Sequence, residues 1–168
     1  MAKTKAKSNT KTKAKSSART VNRRRPAKRR ASPAAKAKAK PRPKQKFVAS
    51  HHRDEDFKIG LRNYAKYRDL GMSEATGGMV QAHVIRLVPP CIPEEVSKLH
   101  YHDVEFQMVY VLKGWMKNEF EGQGVQVMRE GTAWIQPPGI KHKVLDYSDD
   151  CEVLEIILPA EFDTVTLD

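Results

Sequence analysis

The stretch His100-Tyr-His102-Asp-Val-Glu105-Phe-Gln107-Met-Val-Tyr-Val-Leu-Lys-Gly114 decides how the chain is interpreted. His100 and His102 are two residues apart, so on extended backbone both imidazoles point to the same face. Two imidazoles on one face can chelate a metal ion. The apolar and β-branched run from Phe106 to Leu112 then predicts a buried strand, with Gln107 near its start.

A second stretch, Gly131-Thr-Ala-Trp-Ile-Gln-Pro137-Pro138-Gly139-Ile-Lys-His142, supplies another imidazole. The two prolines preset φ, and Gly139 allows a conformation that other residues resist, so a sharp turn is expected here. The turn would deliver His142 to the start of the next strand. We therefore expect three histidines and one amide oxygen, that of Gln107, to converge.

These stretches resemble the paired motifs of the cupin superfamily. The first cupin motif runs His-x-His, three or four residues, Glu, six residues, Gly. The second runs Gly, five residues, Pro-x-Gly, two residues, His, three residues, Asn. Seven of the nine anchor positions match, with Gln107 at the Glu position and Asp146 at the Asn position; the matching residues are His100, His102, Gly114, Gly131, Pro137, Gly139 and His142.

The resemblance implies one divalent transition metal, Fe, Mn, Zn, Ni or Cu, held by His100, His102, Gln107 and His142. Neutral imidazoles suit these metals, and a fourth oxygen ligand leaves positions for water or substrate. A Gln oxygen is neutral and binds metal more weakly than a carboxylate does. Glu105, two residues away, is the alternative fourth ligand.

The regular part of the sequence predicts many short strands separated by turn residues. They are expected over 80–88, 106–112, 115–121, 125–129, 133–136, 142–147 and 153–158, with a short helix or an edge strand over 61–70 and one helical turn over 73–78. This pattern favours an all-β sandwich or barrel, and the resemblance implies a double-stranded β-helix, or jelly-roll, cupin barrel. Small bacterial cupins of this kind are similar from about residue 60 to the end.

Alternation along the strands predicts the pocket walls. Val109 and Val111 should follow Gln107 on the inner face, and Ala133 with Ile135 should form an apolar floor. Aromatic residues expected at the rim or in the core are Tyr101, Tyr110, Phe120 and Trp134.

Charge divides the chain into two parts. Residues 1–46 contain 19 Lys or Arg and no acidic residue, whereas residues 47–168 contain the other 12 basic and all 20 acidic residues, a balance of 12 − 20 = −8. We expect a disordered basic tail over 1–46, a linker over 47–59 and the barrel over 60–168. The tail resembles linker-histone-type tails, and its charge predicts either non-specific nucleic-acid contact or a solvating role.

Cysteine usage and hydropathy indicate the compartment. Cys91 and Cys151 are too few for a disulfide framework, and a reduced Cys151 would pack beside an apolar strand. No run of eighteen apolar residues and no apolar secretory segment occurs in the sequence. These features predict a cytoplasmic protein without a membrane segment. Its basic tail would allow it to associate with the nucleoid.

Two functions remain open at this point. The first is a metal-dependent enzyme acting on a small molecule, of the dioxygenase, isomerase or lyase class. The second is a non-catalytic ligand- or metal-binding module that the tail tethers to nucleic acid.

The other histidines and the assembly complete the predictions. His83 is a candidate extra ligand or acid, whereas the adjacent His51 and His52 form a poor chelate. A homodimer is expected because the apolar strands offer surface that one barrel does not cover.

Overall fold

Within residues 44–60 and 62–167, which the computed structural model describes, eleven strands and two short helices follow one turn of 3-10 helix at Asp54–Asp56. The basic tail predicted over 1–46, and its disorder, lie outside the described residues apart from the last three. The elements are β1 (Lys58–Ile59), β2 (Ala65–Asp69), α1 (Met72–Thr76), β3 (Gln81–Leu87), α2 (Pro93–Val96), β4 (His100–Asp103), β5 (Phe106–Lys113), β6 (Trp115–Phe120), β7 (Gly124–Arg129), β8 (Ala133–Ile135), β9 (His142–Tyr147), β10 (Glu152–Leu158) and β11 (Asp163–Thr166).

The strands form two antiparallel sheets. One sheet has the order β1-β2-β3-β10-β5-β8, and the other has the order β11-β4-β9-β6-β7. Sequence neighbours are often separated in space: β10 pairs with both β3 and β5, and β9 pairs with both β4 and β6. This arrangement is the predicted all-β jelly roll, so the predicted fold class is confirmed for the described residues.

The apolar core lies between the sheets and follows from strand alternation. Gln107, Val109 and Val111 are 1%, 4% and 0% exposed, as the alternation of β5 predicts. The expectation for Ala133 and Ile135 is wrong, because both are exposed, Ile135 by 60%. On this three-residue strand the partly buried residue is Trp134, which pairs with Val109 and packs against the core.

Several segments that the sequence left open are now defined. The stretch 61–70 contains strand β2, and the helical turn over 73–78 is α1, which ends at Gly77 in the left-handed conformation. A helix that was not expected, α2, lies in the loop before β4. Inside the segment expected to be a linker, Phe57 is 8% exposed and β1 pairs with β2.

Two smaller findings concern the thiols and the helices. Both cysteines are free, and Cys151 is fully buried in the core as expected. In the described part of the chain, neither helix has the length and apolar character to cross a membrane.

Candidate metal centre

Three histidines meet on the inner face of the second sheet. His100 on β4 lies directly opposite His142 on β9, and His102 is two residues further along β4. The ring centroids are 4.4 Å apart for His100 and His142, 5.1 Å for His100 and His102, and 5.2 Å for His102 and His142. One ring nitrogen of each lies within 4.8 Å of the others. The spacing of two and the cross-strand pairing therefore produce the expected cluster.

Hydrogen bonds fix how these rings present their nitrogens. Nδ1–H of His100 donates to the carbonyl oxygen of Lys98 at 2.7 Å, and Nδ1–H of His142 donates to that of Ile140 at 3.0 Å. Nδ1 of His102 contacts Oγ1 of Thr164 at 2.9 Å. A carbonyl oxygen only accepts, so His100 and His142 carry their proton on Nδ1 and keep a lone pair on Nε2. Such supports are typical of metal-binding histidines.

The Pro137-Pro138-Gly139 turn positions His142 as the sequence predicted. Gly139 has φ +73°, and its N–H donates to the carbonyl oxygen of His102 at 3.2 Å. Ile140 N–H closes the turn on the carbonyl oxygen of Pro137 at 3.1 Å. The turn of the second motif is thus bonded to the strand of the first motif.

Burial keeps the three imidazoles neutral. It lowers the pKa of His100 to about 3 and that of His102 to about 4, and it also lowers the pKa of His142. The positive charge of Arg62 acts in the same direction on all three. Neutral imidazoles are the form that binds a metal ion, so no proton competes for these lone pairs at neutral pH.

The histidines line an inner cavity of about 120 Å³ between the sheets. Phe120 stacks on the ring of His142 with centroids 5.8 Å apart, and Trp134, whose ring centroid is 6.5 Å from that of Phe120, lines the cavity. An outer pocket of about 410 Å³ shares His102, Tyr67, Arg62 and Glu155 with the inner cavity. A ligand at the histidines can therefore extend from the inner cavity into the outer pocket.

Gln107 makes a hydrogen bond that the sequence did not predict. Its Nε2 donates to Oε1 of Glu155 at 2.6 Å, and it is not among the residues that line the inner cavity. The alternative, Glu105, is exposed in the bend between β4 and β5, with its backbone N–H bonded to Leu158. Ligation by Gln107 stays a prediction, and the structure gives it a second role as a hydrogen-bond donor.

Glu155 is a functional candidate that sequence reasoning missed. Its cross-strand neighbour is His83, whose Nε2 lies 2.6 Å from Oε2 of Glu155. Burial acts to raise the pKa of Glu155, but the hydrogen bonds from His83 and Gln107 outweigh it and leave the pKa below its ordinary value. Glu155 is thus a carboxylate where the two cavities join, and the partner of His83, a candidate from sequence, is now known.

Gln136 was also missed, although it precedes the Pro-Pro-Gly turn. It is 5% exposed, its Nε2 lies 3.2 Å from Nε2 of His142, and its Oε1 accepts a hydrogen bond from Nε1 of Trp134. The Trp134 contact fixes the amide beside the histidine cluster. Because Gln136 directly precedes the turn that positions His142, the sequence could have indicated that it lies near the histidine cluster.

Comparison with protein families gives one match, to the Cupin domain, over residues 91–157. The matched segment contains all three histidines. A search of curated proteins finds no significant match. The domain match supports the cupin superfamily for this part of the chain.

Solved structures with the same fold include three from bacteria. KdgF from Halomonas sp. has a TM-score of 0.52 at 18% identity, covering 67% of this chain and 96% of that one. The polyketide cyclase RemF from Streptomyces resistomycificus has a TM-score of 0.57 at 19% identity, covering 72% and 87%. Oxalate decarboxylase from Bacillus subtilis has a TM-score of 0.54 at 20% identity, covering 73% of this chain but 32% of that one, so this chain spans about a third of it. The barrel fold is therefore that of the cupins.

Proposed function

We propose that this cupin barrel binds one divalent transition metal through His100, His102 and His142, and that the metal holds a small molecule in the cavity between the sheets. The observation that carries the proposal is the convergence of three neutral imidazoles, with one ring nitrogen of each within 4.8 Å of the others. Packing alone rarely explains two buried histidines and one half-buried histidine in a single cluster, since histidine is not a preferred core residue.

The donor set fits such an ion. Three nitrogen ligands are the usual number for a metal that keeps positions open to water or substrate. When bound, the ion would supply Lewis-acid or oxygen-binding chemistry to the substrate. Around it, Phe120 and Trp134 exclude water from one side, and Glu155 offers a carboxylate that can accept a proton or a hydrogen bond.

For the fourth position the candidate is Gln107. It is the residue at the motif position, and its Nε2 is bonded to Glu155, which leaves Oε1 as its ligand atom. Gln136 presents Nε2 to His142 and has its Oε1 bonded to Trp134, so it supports the histidine ring and offers no ligand oxygen. Replacing each in turn by Ala and measuring metal affinity identifies the residue that contributes.

The test of the metal site is elemental analysis of purified protein. We expect close to one transition metal per chain, lost in a His100→Ala, His142→Ala double variant. The matched control is His51→Ala, His52→Ala, which removes two exposed imidazoles outside the cluster. Metal content below stoichiometry in the wild type, or equal losses in both double variants, contradicts the proposal.

We propose an enzyme of the dioxygenase, isomerase or lyase class as the first assignment. Some proteins that share the fold are enzymes, among them the polyketide cyclase RemF and oxalate decarboxylase. Fold alone does not assign a reaction, so the support for catalysis is the carboxylate of Glu155 next to the histidines. Turnover with a panel of small substrates and each candidate metal tests it.

The second candidate function is a binding module attached to nucleic acid by its tail. The observation that favours it is the 19 Lys or Arg on residues 1–46, with no acidic residue among them. Such charge density binds phosphate by releasing counterions and requires no fold. If metal loading leaves DNA affinity unchanged, a sensor version of this function is wrong.

For assembly, we propose a homodimer formed through the outer face of β5 and β8. Tyr110, Leu112 and Ile135 are 36%, 41% and 60% exposed on this face. Exposed apolar side chains grouped on one sheet face mark contact surfaces. β8 is also the edge strand of its sheet, so pairing would cover an open edge.

A further inference from the structure

We infer that the substrate of the proposed metal site is a small monocarboxylate and that the guanidinium of Arg62 binds its carboxylate group. This inference rests on the proposed function and names the class of substrate for the same cavity. Arg62 lines both the inner cavity and the outer pocket, so its side chain stands where a ligand would pass from one to the other.

Arg62 is a cation without an acidic partner in the described part of the chain. Among residues 44–60 and 62–167, no carboxylate lies within ion-pair distance of it, and its side chain donates one hydrogen bond, from Nη1 to the hydroxyl of Tyr64 at 2.7 Å. A guanidinium has five N–H donors. Most of its donors are therefore free for a ligand.

The acidic groups at the same pockets are already engaged. Asp56 is bound by Arg53 at 2.9 Å, Asp69 accepts from the N–H of Gly71 at 2.8 Å, and Glu155 holds His83 and Gln107. A buried or half-buried charge without a partner is costly, and a ligand of opposite charge removes that cost. Arg62 thus has no anionic partner among the described residues, and a bound ligand can provide one.

Charge and size favour a carboxylate over a phosphate. The fork of a guanidinium binds two oxygens of either group, so the other residues of the cavity make the choice. Glu155 lines both cavities, its Oε1 accepts a hydrogen bond from Gln107 and its Oε2 lies 2.6 Å from Nε2 of His83, so this acidic group would disfavour the second negative charge of a phosphate dianion. The inner cavity of about 120 Å³ has room for about ten non-hydrogen atoms, since one water needs roughly 10–15 Å³ on this measure. The remainder of the substrate would lie in the outer pocket.

The test is calorimetric titration of the purified full chain with acetate, glycolate and benzoate, each compared with its neutral amide, and with inorganic phosphate. We expect at least one acid to bind more tightly than its amide, and Arg62→Gln to weaken that binding by about tenfold or more, the usual effect of losing a charge-assisted pair. Arg62→Lys, which keeps the charge but not the fork, should be intermediate. The control is Lys66→Gln, which removes a positive charge from β2 at a residue that lines neither cavity.

The outcomes separate this inference from the metal proposal, because metal content is measured on each variant by elemental analysis. Acid binding that Arg62→Gln abolishes while metal content stays constant supports the inference. Equal binding of acids and amides, equal binding by wild type and Arg62→Gln, tighter binding of phosphate, or no binding of any probe overturns it. If the wild type holds no metal, the proposed metal-binding function is wrong. The same titrations on the metal-free protein then still test whether Arg62 binds a carboxylate.

Discussion

Acid should destabilise the metal-free protein well above the pH at which its carboxylates titrate, because the histidines are buried in neutral form. Burial lowers the pKa of His100 from its ordinary value of 6.5 to about 3 and that of His102 from 6.5 to about 4. Between those values the unfolded chain binds protons that the folded chain excludes. The stability contributed by each group is therefore fully present above pH 6.5 and is lost as the pH falls toward its folded pKa.

The magnitude follows from the shifts. At pH 4.5 an unfolded imidazole is almost fully protonated while both folded ones remain mostly neutral, which costs about 2 kcal/mol for each group relative to pH 6.5. His100 and His102 together then remove about 4 kcal/mol of unfolding free energy between pH 6.5 and 4.5, and His142, whose pKa burial also lowers, acts in the same direction. That loss is comparable with the whole stability of a small domain.

Urea denaturation of metal-free protein at pH 6.5 and at pH 4.5 measures this difference. The control is a His100→Gln, His102→Gln variant, in which each protein is compared with itself at two pH values, so the cost of the substitution cancels. We expect the pH dependence to fall by more than half in the variant. A wild-type loss below about 1 kcal/mol, or equal losses in both proteins, would refute the burial argument.

Three further predictions concern the turns, the assembly and the tail. Gly114→Ala should destabilise the protein by about 1–3 kcal/mol more than Gly122→Ala in urea denaturation. Both residues have positive φ, but of these two only Gly114 has a neighbour that an added Cβ would meet, with Asp150 Oδ1 at 2.6 Å. Equal costs for the two substitutions would contradict this steric reason. Light scattering at micromolar concentration should give a dimer that Leu112→Lys, Ile135→Lys converts to monomer while the control Val125→Lys, Val127→Lys does not, and a monomeric wild type would reject the interface. Deleting residues 1–46 should abolish nucleic-acid binding while sparing metal content, and binding by the full chain should weaken with salt at a log-log slope of about −0.9 per phosphate contact on duplex DNA; affinity that is flat with salt, or that survives the deletion, would show a different mode of binding.

The sequence was sufficient for features governed by local spacing. The histidine pair in β4, the Pro-Pro-Gly turn before His142 and the inward side of β5 all depend on residues close together in the chain. Strand alternation and turn chemistry act over such distances, so these predictions needed no knowledge of the partner strands.

Features that depend on pairing between distant strands were not predictable in the same way. The inward residue of β8 depends on its register with β5, and a strand of three residues gives too little alternation to fix that register. Glu155 meets His83 across β10 and β3, 72 positions apart, and Thr164 meets His102 across β11 and β4. The hydrogen bond from Gln107 to Glu155 on β10 likewise spans 48 positions and could not be read from spacing.

The direct pairing of His100 with His142 has a consequence for the order of folding. These residues are 42 positions apart, and the chain between them builds β5 to β8 in both sheets. Contacts that close long loops form late, since their entropic cost is offset only after the intervening strands have found their places. The three histidines should therefore come together late in folding, and a species that has formed the β6–β7 hairpin and the β5–β8 pairing would still lack the cluster.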